Sequence, residues 1–173
     1  MKVIFLDFDG VLNSQSSFIY EDARRKKHKE QGVKGRVNET LSVECAAVFQ
    51  ELLNIYPEVK IVVSSTWRII FNLDELRQKF EEYHIDGSRI IDRTGQRNDG
   101  DRGLEIQDWL NLHPEVAHYI VIDDNDWGIV QAHPPEKFVK TSWEYGGFQF
   151  GHLEEATQKL KTPKKRRNLT FPW

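Results

Sequence analysis

Three strongly apolar stretches of the sequence each end in a pair of polar side chains with the chemistry of a metal or phosphate site. In chain order the pairs are Asp7 and Asp9, then Ser64 and Ser65, then Asp123 and Asp124. Ionised carboxylates next to buried chain are costly unless a cation or hydrogen bonds compensate them. Two carboxylate pairs from separate stretches would form a hard, oxygen-rich site suited to Mg²⁺, which needs few protein ligands.

These residue types are also the ones used in phosphoryl transfer. A carboxylate beside Mg²⁺ can attack phosphorus and form an aspartyl-phosphate intermediate. If the chain turns after Phe8, Asp9 could face the leaving group as a general acid and later activate water. The Ser64 hydroxyl and a cationic side chain would hold the transferring phosphoryl oxygens.

Each pair taken alone has a simpler interpretation. The Asp-Gly dipeptide at 9–10 also fits a hairpin turn with two solvated aspartates, although the preceding run is continuously apolar instead of alternating. The acidic pair at 123–124 alone is typical of a strand that enters a polar loop, and the serine pair is typical of a helix cap or turn. The specificity lies in the three pairs together, in this order.

The elements that must position these pairs alternate between buried strands and amphipathic helices. Strands are predicted at 3–8, 59–65, 88–92, 117–124 and 136–141, and helices at 38–57, 73–84, 104–113 and 152–161. The alternation predicts an α/β fold, a Rossmann-like three-layer sandwich with a mainly parallel central sheet. Ligands of such sheets bind outside the carboxyl ends of the strands, so the three pairs should meet in one crevice.

Length and composition limit the class of protein that carries this site. The 173 residues, 39% hydrophobic and with a net charge of −3, indicate a globular chain without an overall basic footprint. A single cysteine, Cys45, excludes an internal disulfide, and we expect a cytoplasmic protein with no signal peptide or membrane segment. We expect one domain over 1–161, with a small insertion at 13–37, and a basic tail at 162–173.

The ordered motifs resemble those of the haloacid dehalogenase (HAD) superfamily of phosphohydrolases. The superfamily's Asp-x-Asp-Gly matches "DFDG" at 7–10, its strand-ending Ser or Thr matches Ser64, and its acidic pair matches "VIDD". The stretches "SSTWR" and "RGLEIQDWL" are similar to the small, nearly capless HAD domains of nucleic-acid repair enzymes and phages.

The resemblance implies a role for each carboxylate. Asp7 would be the nucleophile and Asp9 the general acid and base. Mg²⁺ would be held by Asp7, by Asp9 through its backbone carbonyl, and by the Asp123 and Asp124 pair.

The third HAD motif is usually a lysine, and here an arginine must take its place. Arg102 is the nearest candidate, and Arg93 and Arg97 lie close by in the sequence. A guanidinium would offer a fork of donors to phosphate oxygens. Ser65 and Arg68 are further candidates for contact with substrate, although Arg68 could equally pair with a carboxylate.

The substrate class is suggested by a basic run in the insertion. Its members are Arg24, Arg25, Lys26, Lys27 and Lys29. Such a run is a solvated face by default, but the resemblance implies that an insertion here lies over the active site, where a cationic flap would favour polyanions.

We therefore expect a Mg²⁺-dependent phosphomonoesterase acting on a nucleotide or a nucleic-acid terminal phosphate. The alternatives are a phosphatase of another metabolite or of a phosphoprotein, phosphotransfer to an acceptor other than water, and a non-catalytic phosphate-binding or nucleic-acid-binding module. Among the aromatic residues, Trp67 and Trp109 are expected in the core, and Trp143 is the one expected to contact a ligand.

Overall fold

A five-stranded, all-parallel sheet forms the centre of the protein in a computed structural model that describes residues 1–19 and 40–161. The spatial order of the strands is β3-β2-β1-β4-β5. Their bounds are β1 Lys2–Leu6, β2 Lys60–Val63, β3 Ile90–Arg93, β4 His118–Asp123 and β5 Phe138–Lys140. The helices are α1 Val43–Ile55, α2 Trp67–Ile70, α3 Leu73–Glu82, α4 Arg102–Leu112, α5 Ile129–Ala132 and α6 Phe150–Leu160.

Strand β1 occupies the middle of the sheet, and its register sets the position of the site. Leu6 pairs with Val63 of β2 on one side and with Ile122 of β4 on the other. The chain runs outward from β1 through β2 to β3, and then returns to the other side of β1 as β4. The topological switch point therefore lies at the carboxyl ends of β1 and β4, which confirms the predicted parallel α/β architecture.

The strands are continuously apolar because helices cover both faces of the sheet. Ile4 and Leu6 of β1 belong to one core cluster, which α1, α3 and α6 complete. Val3 and Phe5 belong to a second cluster, with α4 and α5. The result is the predicted three-layer sandwich.

Capping residues correct the predicted starts of two helices. Helix α1 begins at Val43 because the Ser42 hydroxyl accepts from the Cys45 amide at 3.2 Å. The prediction of a helix running from residue 38 was therefore wrong for residues 40–42. Helix α4 begins two residues earlier than predicted, because Asp101 caps it by accepting from the Leu104 amide at 2.9 Å. That cap places Arg102 in the first turn.

Two parts of the sequence-based interpretation lie outside the described residues. They are the basic run with its flanks, residues 20–39, and the basic tail, residues 162–173. Among the helices of the described ranges, none is long and apolar enough to cross a membrane. The short helices α2 and α5, which the sequence patterns did not predict, both follow the strand ends that carry polar pairs.

Candidate active site

Three carboxylates meet at the switch point of the sheet. Asp7 directly follows β1, Asp123 ends β4 and Asp124 comes next. One oxygen from each lies within 4.8 Å of the others. The Asp7 amide donates to the Ile122 carbonyl at 3.0 Å, which continues the β1–β4 pairing to the edge of the site. The sequence predicted this convergence.

Arg102 is the cation of the group. Its guanidinium lies 3.1 Å from an Asp7 oxygen and also contacts an Asp123 oxygen. The side chain is buried and enters from the first turn of α4. Burial alone would lower the pKa of Arg102, but the attraction of both aspartates more than offsets it and the pKa is raised.

The other two candidates for the third motif lie elsewhere. Arg93 donates to backbone carbonyls of residues 68 and 71, at the ends of α2. Arg97 is a half-buried residue that forms ion pairs with Asp99 and Asp108, each at 3.0 Å. Of the three arginines, the structure brings Arg102 alone to the carboxylates.

Negative charge exceeds positive charge in this group. Burial is the main cause that raises the pKa of Asp7 above its usual range. Burial, followed by repulsion from Asp7, raises the pKa of Asp123 to about 7 and that of Asp124 to about 6. A divalent cation would remove this strain, and the donors are the hard oxygens that Mg²⁺ prefers. The residues therefore fit Mg²⁺.

Asp9 stands apart from the three carboxylates. One of its oxygens accepts from Asn13 Nδ2 at 2.8 Å and the other from Trp67 Nε1 at 3.0 Å. Asn13 is itself held, because its Oδ1 accepts from the Gly10 amide at 3.0 Å. The carboxylate of Asp9 is thus fixed by two neutral donors, and the structure does not place it with the carboxylates suited to a metal.

Trp67 has a role that the sequence interpretation missed. It is buried and packs edge-on against Phe8, as expected of a core residue. Its indole N–H nevertheless orients Asp9 across a separation of 58 residues. The only signal in the sequence was its place three residues after Ser64, at the start of α2.

The backbone conformation and close packing at residue 10 explain why the first motif contains a glycine there. The φ of +73° at Gly10 is unfavourable for residues with a side chain, and a Cβ there would lie 2.2 Å from Asp124 Oδ2. The following residues fold back, because the amides of Leu12 and Asn13 donate to the Phe8 carbonyl at 2.8 and 3.2 Å. The hairpin alternative was therefore wrong.

The two serines after β2 differ in their partners. The Ser65 hydroxyl hydrogen-bonds to Asp7, which favours the ionised carboxylate, and it also accepts from the Trp67 amide at 3.3 Å. The Ser64 hydroxyl is fully buried and has no hydrogen-bond partner within the described ranges. Ser65, which was predicted to contact substrate, thus supports the proposed nucleophile.

Arg68 is engaged inside the protein. Its guanidinium pairs with the buried Glu105 at 2.6 Å and donates to the backbone carbonyls of Ser64 and Ser65. Of the two alternatives predicted for Arg68, contact with substrate or pairing with a carboxylate, the structure shows the pairing, with Glu105 as the carboxylate. The pair links the end of β2 to α4, the helix that carries Arg102.

The five-stranded parallel sheet with helices on both faces is the HAD-like α/β fold, and the chain is a HAD-superfamily domain. Residues 3–147 match the family described as the HAD domain in Swiss Army Knife RNA repair proteins. The chain belongs to that family, which confirms the resemblance found in the motifs. The superfamily relationship identifies the domain as a HAD-type hydrolase.

One solved structure supports the same fold, and a second shows a weaker similarity. The HAD domain of effector protein Lem4 from Legionella pneumophila superposes with a TM-score of 0.53 at 18% identity, over 92% of this chain and 94% of that one. A haloacid dehalogenase-like hydrolase from Streptococcus pneumoniae gives a TM-score of 0.43 at 16% identity, over 89% and 90% of the two chains. No curated protein is significantly similar in sequence.

The raised pKa of Asp124 predicts a specific pH dependence of stability without metal. A carboxyl whose pKa is higher in the folded than in the unfolded state costs stability as pH rises through the folded value. In EDTA, the free energy of unfolding should therefore fall between pH 4 and pH 7, and Asp124→Asn should reduce that fall. At pH 8 we expect the variant to melt roughly 1–3 °C above the wild type.

Thermal melts across this pH range, with and without Mg²⁺, check the expectation. Adding Mg²⁺ should reverse the order, because the wild type keeps all three carboxylates. Asp74→Asn, on the exposed surface of α3, is the matched control and should keep the slope of the wild type. An unchanged slope in Asp124→Asn would contradict the repulsion inferred for the group.

Proposed function

We propose that the protein is a Mg²⁺-dependent phosphomonoesterase that acts through an aspartyl-phosphate on Asp7, with a nucleotide or a nucleic-acid terminal phosphate as substrate. The observation that carries the proposal is the group of Asp7, Asp123 and Asp124 around Arg102, beside a separately held Asp9. One carboxylate set can hold a cation while another carboxylate handles protons.

Asp7, Asp123 and Asp124 are the residues that would hold Mg²⁺. The bound ion would neutralise charge on the phosphoryl oxygens and leave the phosphorus open to attack. Arg102 and the free Ser64 hydroxyl would add donors to the same oxygens as charge develops on them. Both side chains are buried, so that their positions are set before substrate arrives.

In the first step an Asp7 oxygen attacks phosphorus, and the bond from phosphorus to the leaving oxygen breaks. Asp9, in its protonated form, gives its proton to that oxygen. The charge of Arg102 and the hydrogen bond from Ser65 favour the ionised Asp7 that attack requires. The products are the aspartyl-phosphate, the released alcohol and an ionised Asp9.

In the second step Asp9 accepts a proton from water, whose oxygen attacks the phosphorus. The bond between phosphorus and Asp7 breaks, which releases inorganic phosphate and restores the ionised Asp7 and the protonated Asp9. Asn13 and Trp67 keep Asp9 in one orientation through both proton transfers. They are positioning residues, since each acts through the Asp9 carboxylate.

The choice of nucleotide or nucleic acid has two supports. One is the family itself, whose members are HAD domains of RNA repair proteins. The other is the basic insertion, because Phe18 and Thr40, which flank residues 20–39 in the sequence, line the same cavity as Asp9. Residues 20–39 carry seven Lys and Arg against four Asp and Glu. Both attachment points of this basic segment are thus at the site.

Substitution should distinguish the role of Asp7 from that of Asp9. Turnover of a phosphomonoester should require Mg²⁺ and stop in Asp7→Asn, because the amide cannot attack phosphorus. Asp9→Asn should slow turnover by ~10²–10⁴-fold, the usual range for general acid–base catalysis. Phosphate release by purified variants, with circular dichroism to confirm folding, measures both effects. Full activity in either variant would exclude the role given to it.

The arginine assignment has a matched control in the same chain. Arg102→Ala should lower kcat by ~10²–10³-fold, the effect of losing one donor to the developing charge. Arg97→Ala removes a guanidinium that pairs with Asp99 and Asp108 instead of the three carboxylates, and it should leave kcat within about twofold of the wild type. Steady-state kinetics measures these changes in kcat, and melting temperatures show whether each variant is folded. Arg102→Lys tests whether a positive charge without the guanidinium is enough for turnover. A larger loss in Arg97→Ala would mean that Arg102 only neutralises the aspartates.

Salt dependence tests the role of the basic insertion. Each phosphate neutralised on a single strand contributes a slope of about −0.7 to log affinity against log salt. An end-phosphorylated single-stranded oligonucleotide should therefore show a steeper slope than a mononucleotide. Replacement by Ser of the basic run should abolish the difference; the run is Arg24, Arg25, Lys26, Lys27 and Lys29. Equal slopes for both substrates before replacement would make the run a solvated face.

A further inference from the structure

A cavity of about 550 Å³ opens beside the carboxylates and is not needed for the phosphoryl chemistry itself. Asp9 and Asp124 line its inner end. Its remaining walls come from four separate segments of the chain, residues 13–18, Thr40, residues 66–70 and Trp143, and are largely apolar. The apolar residues among the lining are Phe18, Trp67, Ile70 and Trp143.

Two of the aromatic residues form one wall. Phe18 and Trp143 meet edge to face, with ring centroids 5.9 Å apart. Their segments are tied together, since the Gln15 amide donates to the Trp143 carbonyl at 3.0 Å. Phe18 is 40% exposed and Ile70, on another wall, is 72% exposed. Concave apolar surface that stays open to solvent is typical of a ligand site.

The positions of Asp7 and Asp9 determine which part of a substrate occupies this cavity. Asp7 and the metal ligands hold the phosphoryl group, whereas Asp9 must reach the oxygen that leaves. Because Asp9 lines the cavity, the group attached to the leaving oxygen extends into it. The walls therefore select the leaving group and not the phosphate.

The chemistry of the walls selects among leaving groups. The lining also includes the hydroxyl residues Ser17, Thr40 and Thr66, which can hydrogen-bond to the sugar that carries the leaving oxygen. A flat aromatic group would stack on Trp143 or Phe18, and nucleobases stack on aromatic side chains regardless of sequence.

We propose that this cavity binds the nucleobase of the nucleotide that carries the scissile phosphate, with Trp143 and Phe18 as the stacking wall. This proposal rests on the proposed function, because the role of Asp9 as general acid is what places the leaving group in the cavity. It adds that the base must be unpaired, because a base stacked within a duplex has to be extracted before it can contact a side chain. A free nucleotide and a single-stranded end satisfy this condition equally.

Binding by the full-length Asp7→Asn protein tests the proposal without turnover. Calorimetry in Mg²⁺ would compare nucleoside 3′- and 5′-monophosphates with ribose 5-phosphate, which shares the phosphate and lacks the base. The better nucleotide should bind at least about 5-fold tighter. Trp143→Ala should weaken its binding by about 5- to 100-fold, the value of one base stack, and leave ribose 5-phosphate unchanged.

Two further variants control the aromatic wall. Tyr145→Ala removes a 79% exposed aromatic residue from the same loop that does not line the cavity, and it should bind like the parent. Trp143→Phe keeps a stacking ring and should restore most of the affinity. Equal binding of nucleotides and ribose 5-phosphate, or equal losses for both in Trp143→Ala, would overturn the proposal.

Hydrolysis by the wild type separates this proposal from the proposed function. An end-phosphorylated single strand should be hydrolysed faster than the same end in a blunt duplex, and equal rates would overturn base binding in the cavity. If no phosphomonoester is hydrolysed in Mg²⁺ while nucleotides still bind through Trp143, the hydrolase proposal fails and the base site stands.

Discussion

The repulsion among three carboxylates, two of them buried and Asp124 half-buried, is the constraint around which the structure is organised. Their oxygens lie within 4.8 Å of one another, and Arg102 is their one cationic partner within the described part of the chain. Like charges at such distances cost free energy in a protein interior. Strand pairing and core packing offset this cost, because β1 is hydrogen-bonded to a strand on each side and covered by helices on both faces.

Several features outside the group hold its members in place. Gly10 gives Asp124 room beside the turn after β1, and Asp101 caps α4 so that Arg102 enters from the first turn. The Arg68–Glu105 pair fastens the end of β2 to the same helix. Breaking a buried pair by removing one partner is strongly destabilising, because the other charge is left uncompensated. Arg68 therefore affects the site indirectly, because its pair with Glu105 holds in place the helix that carries Arg102.

Much of this architecture could be predicted from sequence because it depends on local patterns. Continuous apolar runs identify strands covered on both faces, and polar pairs at their ends identify the ligand edge of a parallel sheet. The spacing along the chain also favoured Arg102 over Arg93 and Arg97. That choice depended on its place at the start of a helix before the last motif, and the structure puts it at the carboxylates.

The contacts that sequence could not predict all join distant segments. Nothing in the local pattern around Trp67 indicates that its N–H reaches Asp9, and nothing near Arg68 indicates Glu105, 37 residues later. The start of α1 was misplaced for a related reason. Asn38 and Ser42 are both good capping residues, and the hydrogen bond of the Ser42 amide to the Leu12 carbonyl at 2.7 Å decides where the chain turns.

The buried hydroxyl of Ser64 shows how binding and stability are divided within this site. Its backbone carbonyl is held by Arg68 and its amide by Leu6, whereas its hydroxyl has no partner in the described ranges. An unsatisfied buried donor costs about 1–3 kcal/mol. The free protein carries that cost, and a ligand oxygen that accepts from Ser64 would recover it on binding. If the proposed function holds, part of the affinity for a phosphoryl group would thus be stored in the fold before any ligand arrives.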